Sequence, residues 1–139
     1  MSGASASTSA PWTDQQRAAI ELRSASVGLS AGAGCGKTFV LTQRFLSHLE
    51  PDAPPPGPAR VSQLVAITFT ERAAREMRDR IRSACQQRLA TCADSDVDDW
   101  QKIVDDLDQA RISTIHSFCS GLLRAHAVEA AVDPRFQLL

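Results

Sequence analysis

The sequence predicts an α/β fold in which helices flank a parallel sheet. The main observation is a repeated order of strand, polar turn and helix, which occurs three times along the 139 residues. A second observation is the apolar segment at residues 63–68, whose composition is typical of a parallel strand covered on both faces. Because crossovers between parallel strands are right-handed, the turns after Ser30, Thr68 and Thr114 should lie side by side at the carboxyl edge of the sheet.

The amino-terminal half is expected to contain a tail, two helices, a strand and a long loop. Residues 1–11 are rich in Ser and Ala and are predicted to be a disordered tail. The elements that follow are a short helix at residues 13–22, a strand at 26–30 and a helix at 36–49. Five prolines between residues 51 and 58 then predict an exposed, extended loop at 51–60.

The carboxyl-terminal half alternates between short strands and amphipathic helices. A strand at 63–68 precedes a long helix from Thr70, and an acidic turn at 94–99 precedes a helix around Trp100. A third strand at 111–114 leads into a final helix, from Ser117 to about Ala130. Apolar residues recur at helical spacing in the long helix, at Ala74, Met77, Ile81, Ala84, Leu89 and Cys92.

Length and charge limit the possible functions. One domain with a hydrophobic core fits 139 residues of which 43% are hydrophobic, whereas a multi-domain motor does not. The net charge of −1 means that any nucleic-acid contact must be local rather than the result of an overall basic field. Seven arginines between residues 60 and 88 and seven aspartates between 94 and 108 are explained most simply as solvated helix faces.

The cysteines and the amino terminus indicate a reduced, cytoplasmic protein. Cys35, Cys85, Cys92 and Cys119 form no C-x-x-C pair and no zinc-like spacing with the three histidines. The tail lacks the positive start and the apolar stretch of a signal peptide, and no run reaches the length of a membrane span. We therefore expect no membrane contact.

A phosphate-binding loop is the most specific single motif. It follows the first predicted strand and consists of Ala31, Gly32, Ala33, Gly34, Cys35, Gly36, Lys37 and Thr38. Its small residues allow backbone N–H groups to point at a phosphate chain, Lys37 would place a positive charge at the terminal phosphates, and Thr38 would bind magnesium. Ala31 stands where the usual pattern has its first glycine. The alternative is a Gly/Ala-rich turn that ends in Gly-Lys-Thr by chance.

The turn after the second strand has two explanations. Thr68, Phe69 and Thr70 are followed by arginines, so the Phe69 ring could stack on an unpaired base while its neighbours hold phosphates. Alternatively, Phe69 lies in the core and Thr70 caps the next helix. Taken alone, the second explanation is the simpler one.

The turn after the third strand also has two explanations. His116 and Ser117, with Phe118 beside them, lie at the start of a predicted helix and could donate hydrogen bonds to a phosphate. Alternatively, Ser117 caps the helix and His116 satisfies a buried neighbour. Nothing in this segment forms a Ser/His/Asp set.

Gln16 is the remaining candidate. A glutamine amide can bind the N6/N7 edge of adenine through both of its polar atoms. Thr13 and Gln16 also form the sequence of a capping box, which explains both residues without a ligand. The segment at 103–106 superficially imitates a magnesium-binding strand end, but its apolar spacing is helical and we reject that interpretation.

Together these motifs resemble the superfamily 1 DNA helicases of the UvrD/RecB type, from residue 12 to residue 139. Residues 12–20 resemble the family's adenine-reading motif, 31–38 its phosphate loop, 68–81 its motif Ia, and 112–124 the next motif that contacts DNA. Alanine at the first position of the phosphate loop is usual in that family. The amino-acid sequence of residues 112–119, together with that of 133–136, is most similar to the AddA-like helicase–nuclease branch of the family.

The resemblance implies a fold, ligands and partners. The fold would be a RecA-like P-loop NTPase lobe, incomplete here, that binds ATP and Mg²⁺ as part of an ATP-dependent helicase of recombinational repair. Lys37 and Thr38 would act in catalysis, and Gln16 would bind adenine. Single-stranded DNA or a duplex end would be contacted by Thr68, Phe69, Thr70, His116, Ser117 and Phe118. A further expected partner is another helicase–nuclease chain that serves as a second subunit.

The sequence also departs from the family. It lacks the family's strand-end Asp-Glu, its arginine fingers, its second lobe and a nuclease domain, so we expect an amino-terminal piece that binds nucleotide weakly and hydrolyses little alone. One alternative is a non-catalytic nucleotide- or DNA-binding module, or a remnant of a helicase gene. Another is an unrelated P-loop kinase or transporter ATPase, in which single-stranded DNA would not affect nucleotide binding.

Overall fold

The structure, a computed structural model, describes residues 12–30, 32 and 36–137. Among them are five α-helices and two β-strands. The helices are α1 (Asp14–Glu21), α2 (Lys37–Ser47), α3 (Glu71–Thr91), α4 (Val97–Asp106) and α5 (Ile115–Ala125), and the strands are β1 (Val65–Thr68) and β2 (Arg111–Thr114). The tail predicted at residues 1–11 lies outside the described residues.

The two strands form a parallel sheet, as predicted. Val65 is paired with Arg111 and Thr68 with Thr114, so both strands end at the same level. Strand β1 leads through Phe69 and Thr70 into α3, whereas β2 continues directly into the first turn of α5. The turns after Thr68 and Thr114 are therefore neighbours at the carboxyl edge.

The strand predicted at residues 26–30 is wrong. These residues are exposed and form no strand in the described part of the chain. Val27 and Leu29 gave the segment an apolar pattern, but a strand also needs a neighbour that pairs with its N–H and C=O groups. No strand among the described residues pairs with this segment, so a strand followed by a helix is observed there twice rather than three times.

The prediction that the strand at 63–68 is covered on both faces is also wrong. Residues 61–63 form a short 3-10 helix, and β1 begins only at Val65. Ala66 is buried, whereas Val65 and Ile67 on the opposite face are 44% and 40% exposed. The described residues thus cover one face of β1, because alternate residues of a strand point to opposite sides of a sheet.

The main core lies between the sheet and helices α2, α3 and α4. Helix α3 contributes Met77, Ile81 and Cys85, which recur at helical spacing and are almost fully buried. Burial raises the pKa of the Cys85 thiol to about 11, so this cysteine remains protonated and unreactive at neutral pH. The predicted apolar residues Ala84, Leu89 and Cys92 are partly buried at the edge of the same cluster.

A second, smaller core joins α1 to α2. Ala19 and Ile20 pack on Val40, and Trp12 covers this cluster from outside. The rings of Trp12 and Phe39 meet edge to face, with centroids 6.5 Å apart. This packing holds the helix that contains Gln16 against the helix that follows the phosphate loop.

The remaining elements differ from the predictions mainly in their bounds. Asp94–Asp96 form a 3-10 helix, α4 starts at Val97, and its Trp100 is buried in the core. Residues 103–106 lie within α4 and not at the end of a strand, so they do not have the structure of a strand-end magnesium site. Helix α5 ends at Ala125, and turns follow it rather than further helix. No helix in the described ranges has the length and apolar character needed to span a membrane.

The proline-rich segment at 51–60 is turned rather than extended. Gly57 has a φ of +96°, and its N–H donates to the Pro54 carbonyl at 3.0 Å. Ala59 N–H donates to the His48 carbonyl at 2.7 Å, which brings the loop back to the end of α2. Proline removes donors, but the few N–H groups that remain are enough to close these turns.

His48, at the end of α2, is expected to make stability depend on pH. Its Nδ1 lies 2.7 Å from Nη1 of Arg23, which can only donate, so Nδ1 must accept and the imidazole is neutral. Burial, followed by the charges of Arg23 and Arg44, lowers the pKa of His48 below its ordinary value of 6.5.

Because the unfolded chain binds this proton more readily than the folded one, the stabilisation is present above pH 6.5 and is lost as pH falls through that value and below. We expect thermal unfolding to show a larger gap in Tm between the wild type and His48→Gln at pH 7.5 than at pH 5.5. A gap that does not change with pH would contradict the prediction.

Candidate functional site

Helix α2 begins at the end of the predicted phosphate-binding loop. Gly36 is the N-cap of α2 and has a φ of +77°, a left-handed conformation that glycine adopts without strain. Lys37 and Thr38 are exposed in the first turn of the helix, where the backbone N–H groups carry partial positive charge. Of the other predicted loop residues, Gly32 is exposed. The remaining four lie outside the described residues: Ala31, Ala33, Gly34 and Cys35.

Gln16 lies next to this helix start. A Cβ atom on Gly36 would stand 3.6 Å from Nε2 of Gln16. The predicted capping box is present: Thr13 N–H donates to Gln16 Oε1 at 3.0 Å, and Gln16 N–H donates to Thr13 Oγ1 at 3.2 Å. Oε1 keeps a second lone pair, and Nε2 makes no hydrogen bond within the described part of the chain. The cap and an adenine contact are therefore compatible.

The turn between β1 and α3 exposes an aromatic ring. Phe69 is 91% exposed, so the alternative that placed it in the core is wrong. Thr70 is the N-cap of α3, as the sequence predicted, and its Oγ1 accepts the Ala73 N–H at 3.1 Å. Thr68 Oγ1 donates to the Thr70 carbonyl at 3.0 Å. The two threonines fix the backbone on either side of Phe69.

The junction between β2 and α5 differs from the prediction in its cap. Helix α5 starts at Ile115 rather than Ser117, because Thr114 is the N-cap and accepts the Ser117 N–H at 3.2 Å. The His116 ring is exposed and makes no hydrogen bond in the described ranges, so the alternative in which it satisfies a buried neighbour is wrong. Phe118 is half-buried.

Glu71 connects these two turns. It is the first residue of α3, and its Oε1 accepts from Thr114 Oγ1 at 3.2 Å and from Ser117 Oγ at 3.1 Å. Glu71 is not among the site residues predicted from the sequence. Its local signal is an acidic residue after an N-cap, and its partners are 43 and 46 residues away in the chain.

The arginines of α3 are only partly neutralised. Ion pairs join Arg72 to Glu76, Arg82 to Asp108 and Arg88 to Glu50, at 3.0, 2.6 and 2.8 Å. Such exposed pairs contribute little to stability. Beside the Arg82–Asp108 pair, a groove of about 580 Å³ is also lined by Glu71, Arg75 and Arg78. The arginine-rich and aspartate-rich segments of the sequence thus meet on one surface, mostly as solvated helix faces.

Lys37 and Thr38 bring an ammonium group and a hydroxyl to the exposed start of α2. The described residues contain no group of three or more His, Cys, Asp or Glu side chains that could hold a metal ion. Thr38, in the first turn of α2, offers a hydroxyl as a ligand for magnesium carried by a nucleotide. Gly36, with its positive φ, stands directly before the exposed Lys37 at the start of the helix.

Comparison with known proteins matches residues 12–139 to the UvrD/REP helicase N-terminal domain. Several relatives are described as subunits of an ATP-dependent helicase/nuclease. The one from Natranaerobius thermophilus is 42% identical over 131 residues, covering 94% of this chain and 10% of the relative. That from Moorella thermoacetica is 39% identical over 128 residues, covering 92% and 9%. The chain therefore spans about a tenth of the length of these relatives.

Proposed function

This chain belongs to the family of UvrD/REP helicase N-terminal domains, and from that premise we propose that it binds Mg-ATP and single-stranded DNA within an ATP-dependent DNA helicase. The observation that carries the proposal is Phe69, an aromatic ring 91% exposed at the end of a parallel strand. Its turn adjoins the turn that carries His116, so two candidate DNA contacts occupy one surface.

The nucleotide would lie at the start of α2. The backbone N–H groups of the loop and of the first helical turn would hold the phosphates, assisted by Lys37, and the Thr38 hydroxyl would bind the magnesium ion. Magnesium, when bound, neutralises charge on the phosphate oxygens. Gln16 would donate through Nε2 and accept through the second lone pair of Oε1 at the adenine edge. The closeness of Gln16 to Gly36 supports this arrangement.

The DNA would cross the edge formed by the two turns. Phe69 would stack on a base, and the exposed imidazole of His116 would donate to a phosphate. The hydroxyls of Thr70 and Ser117 are engaged in hydrogen bonds within the protein, so in this proposal they act with Thr68 to hold the turns. Phe118 lies in α5 and is half-buried, so it would help to pack this helix against the rest of the domain.

The biological setting can be proposed from the relatives of this chain. The relatives are described as subunits of an ATP-dependent helicase/nuclease, and we infer that this chain serves the same class of enzyme, in recombinational repair and together with another helicase–nuclease chain. The strand-end Asp-Glu and the arginine fingers of the family are not among these 139 residues. Binding of nucleotide should therefore be weak, and hydrolysis slow, when this chain acts alone.

Two titrations test this proposal. Fluorescence anisotropy of a labelled oligo(dT) should reveal binding that weakens as salt rises, because phosphate contacts release counterions. Isothermal titration with Mg-ATP should show weak binding that single-stranded DNA strengthens or weakens. Nucleotide binding that DNA leaves unchanged would favour an unrelated P-loop protein. Rapid DNA-stimulated hydrolysis by residues 1–139 would contradict the expectation that catalytic groups are missing.

A further inference from the structure

Helix α5 buries little of its surface against the rest of the described protein. Ser120 is its only buried residue, and Leu122 and Leu123 are 43% and 41% exposed. A helix with so little buried surface has few packing contacts that define its orientation. Its hydrogen bonds to the neighbouring turn therefore matter more than they would in a well-packed helix.

Those hydrogen bonds converge on one carboxylate. Thr114, which caps α5 and is 6% exposed, lies with its Oγ1 3.2 Å from Glu71 Oε1. Ser117 Oγ, one helical turn further, lies 3.1 Å from the same oxygen and 3.1 Å from Thr114 Oγ1. Hydrogen bonds to an ionised acceptor are stronger than neutral ones, and a buried hydroxyl loses more when its partner is removed.

We propose that Glu71 is a positioning residue that joins the start of α3 to the start of α5, so that Phe69 and His116 form one surface for single-stranded DNA. This inference rests on the proposed function. Phe69 precedes Glu71 by two residues, and His116 lies between Glu71's partners Thr114 and Ser117. Without the carboxylate, β1 and β2 still pair, but the two turns beyond them lose their direct side-chain connection.

The negative charge of Glu71 has an opposite effect on DNA. A carboxylate near phosphates repels them, so removing its charge strengthens binding, whereas removing its acceptor atom weakens binding by releasing α5. Glutamine removes the charge and keeps an acceptor oxygen in the same place. Alanine removes both. The difference between Glu71→Ala and Glu71→Gln therefore isolates the positioning role from the charge.

The test compares these two variants in the full chain, with Glu76→Ala and Glu76→Gln as the matched controls. Glu76 lies on the same helix, but its carboxylate pairs only with Arg72 in the described residues. In anisotropy titrations with labelled oligo(dT), we expect Glu71→Ala to bind about three- to tenfold more weakly than Glu71→Gln, the effect of one to two hydrogen bonds. The two Glu76 variants should bind within about twofold of each other, as surface substitutions do.

Hydrogen–deuterium exchange provides a readout that needs no DNA. In Glu71→Ala, the amides of 115–120 should exchange faster than in Glu71→Gln, while those of β1 keep their protection. Ser117→Ala, which removes one donor and keeps the carboxylate, should show a smaller increase and remains informative if Glu71→Ala fails to fold. Equal exchange and equal DNA binding by the two Glu71 variants would overturn the positioning role. Absence of DNA binding by the wild type would instead overturn the proposed function, and the exchange data would still decide the role of Glu71.

Discussion

Lys37→Ala is expected to weaken binding of Mg-ATP by about 10- to 150-fold, because a hydrogen bond to a charged group contributes about 1.5–3 kcal/mol. Lys37 lies in the first turn of α2, where the positive end of the helix already attracts anions. Removing the ammonium group leaves the backbone donors in place but takes away the only full positive charge that the motif provides. Isothermal titration calorimetry of the variant and the wild type measures this loss.

The chain offers a matched control for this experiment. Lys102 is the only other lysine in the sequence, and it is exposed on α4. Lys102→Ala lowers the net charge of the chain by the same one unit. Because it is a surface substitution away from the loop, the nucleotide affinity should stay within about twofold of the wild-type value. Lys37→Ala should retain its oligo(dT) binding, because the proposed DNA contacts lie at the ends of β1 and β2. Equal loss of nucleotide binding in both variants would mean that the charge acts through the overall field rather than at the loop.

The same substitution separates binding from turnover. In a longer protein that carries this domain together with the family's remaining catalytic groups, Lys37→Ala should lower ATP hydrolysis by about 100- to 1,000-fold, as loss of one transition-state donor does. Lys37→Arg should not restore the rate, since a guanidinium has a different shape and donor geometry from an ammonium. A variant that keeps more than a tenth of the rate would contradict the role assigned to Lys37.

The features that were predicted correctly depend on interactions between residues that are close together in the sequence. β2 was predicted at its observed bounds, and the long helix α3 followed from the recurrence of Met77, Ile81 and other apolar residues at helical spacing. The sequence indicates Thr70 and Thr13 as caps because the hydroxyl of a cap accepts an N–H two or three residues later, so donor and acceptor belong to the same short segment. Each of these predictions involves residues close together in the chain.

The failed predictions required information from distant residues. The segment at 26–30 has the apolar pattern of a strand, but strand formation depends on a partner, and no strand among the described residues pairs with it. Covering of β1 on both faces would need elements that could contact Val65 and Ile67, which the described residues do not provide. The link from Glu71 to Thr114 spans 43 residues, so no local pattern indicates it.

The candidate site was predicted in part for the same reason. The residues at the ends of β1 and β2 were expected to be neighbours because topology requires it, and they are. The direction of each side chain was harder to predict: taken alone, the segment favoured burial of the Phe69 ring in the core, whereas the ring is 91% exposed. Apolar residues usually end up buried, and an aromatic ring exposed at a strand end is the informative exception.

Phe69→Ala is expected to weaken binding of single-stranded DNA by about 5- to 150-fold, because stacking of one base on an aromatic ring contributes about 1–3 kcal/mol. The ring is 91% exposed, so its removal creates no cavity and should leave the Tm almost unchanged. Phe69→Trp keeps a stacking surface and should bind within about threefold of the wild type. Anisotropy titrations with labelled oligo(dT) at fixed salt measure all three proteins.

Val128→Ala controls for loss of exposed apolar surface, since Val128 is 93% exposed and lies beyond the end of α5. It should bind oligo(dT) like the wild type. The salt dependence then distinguishes stacking from an indirect electrostatic effect. Phe69 carries no charge and releases no counterion, so Phe69→Ala should shift the plot of log affinity against log salt downward without changing its slope. A change in slope would mean that the substitution displaces a cationic side chain such as Arg72, and stacking would no longer be needed to explain the loss.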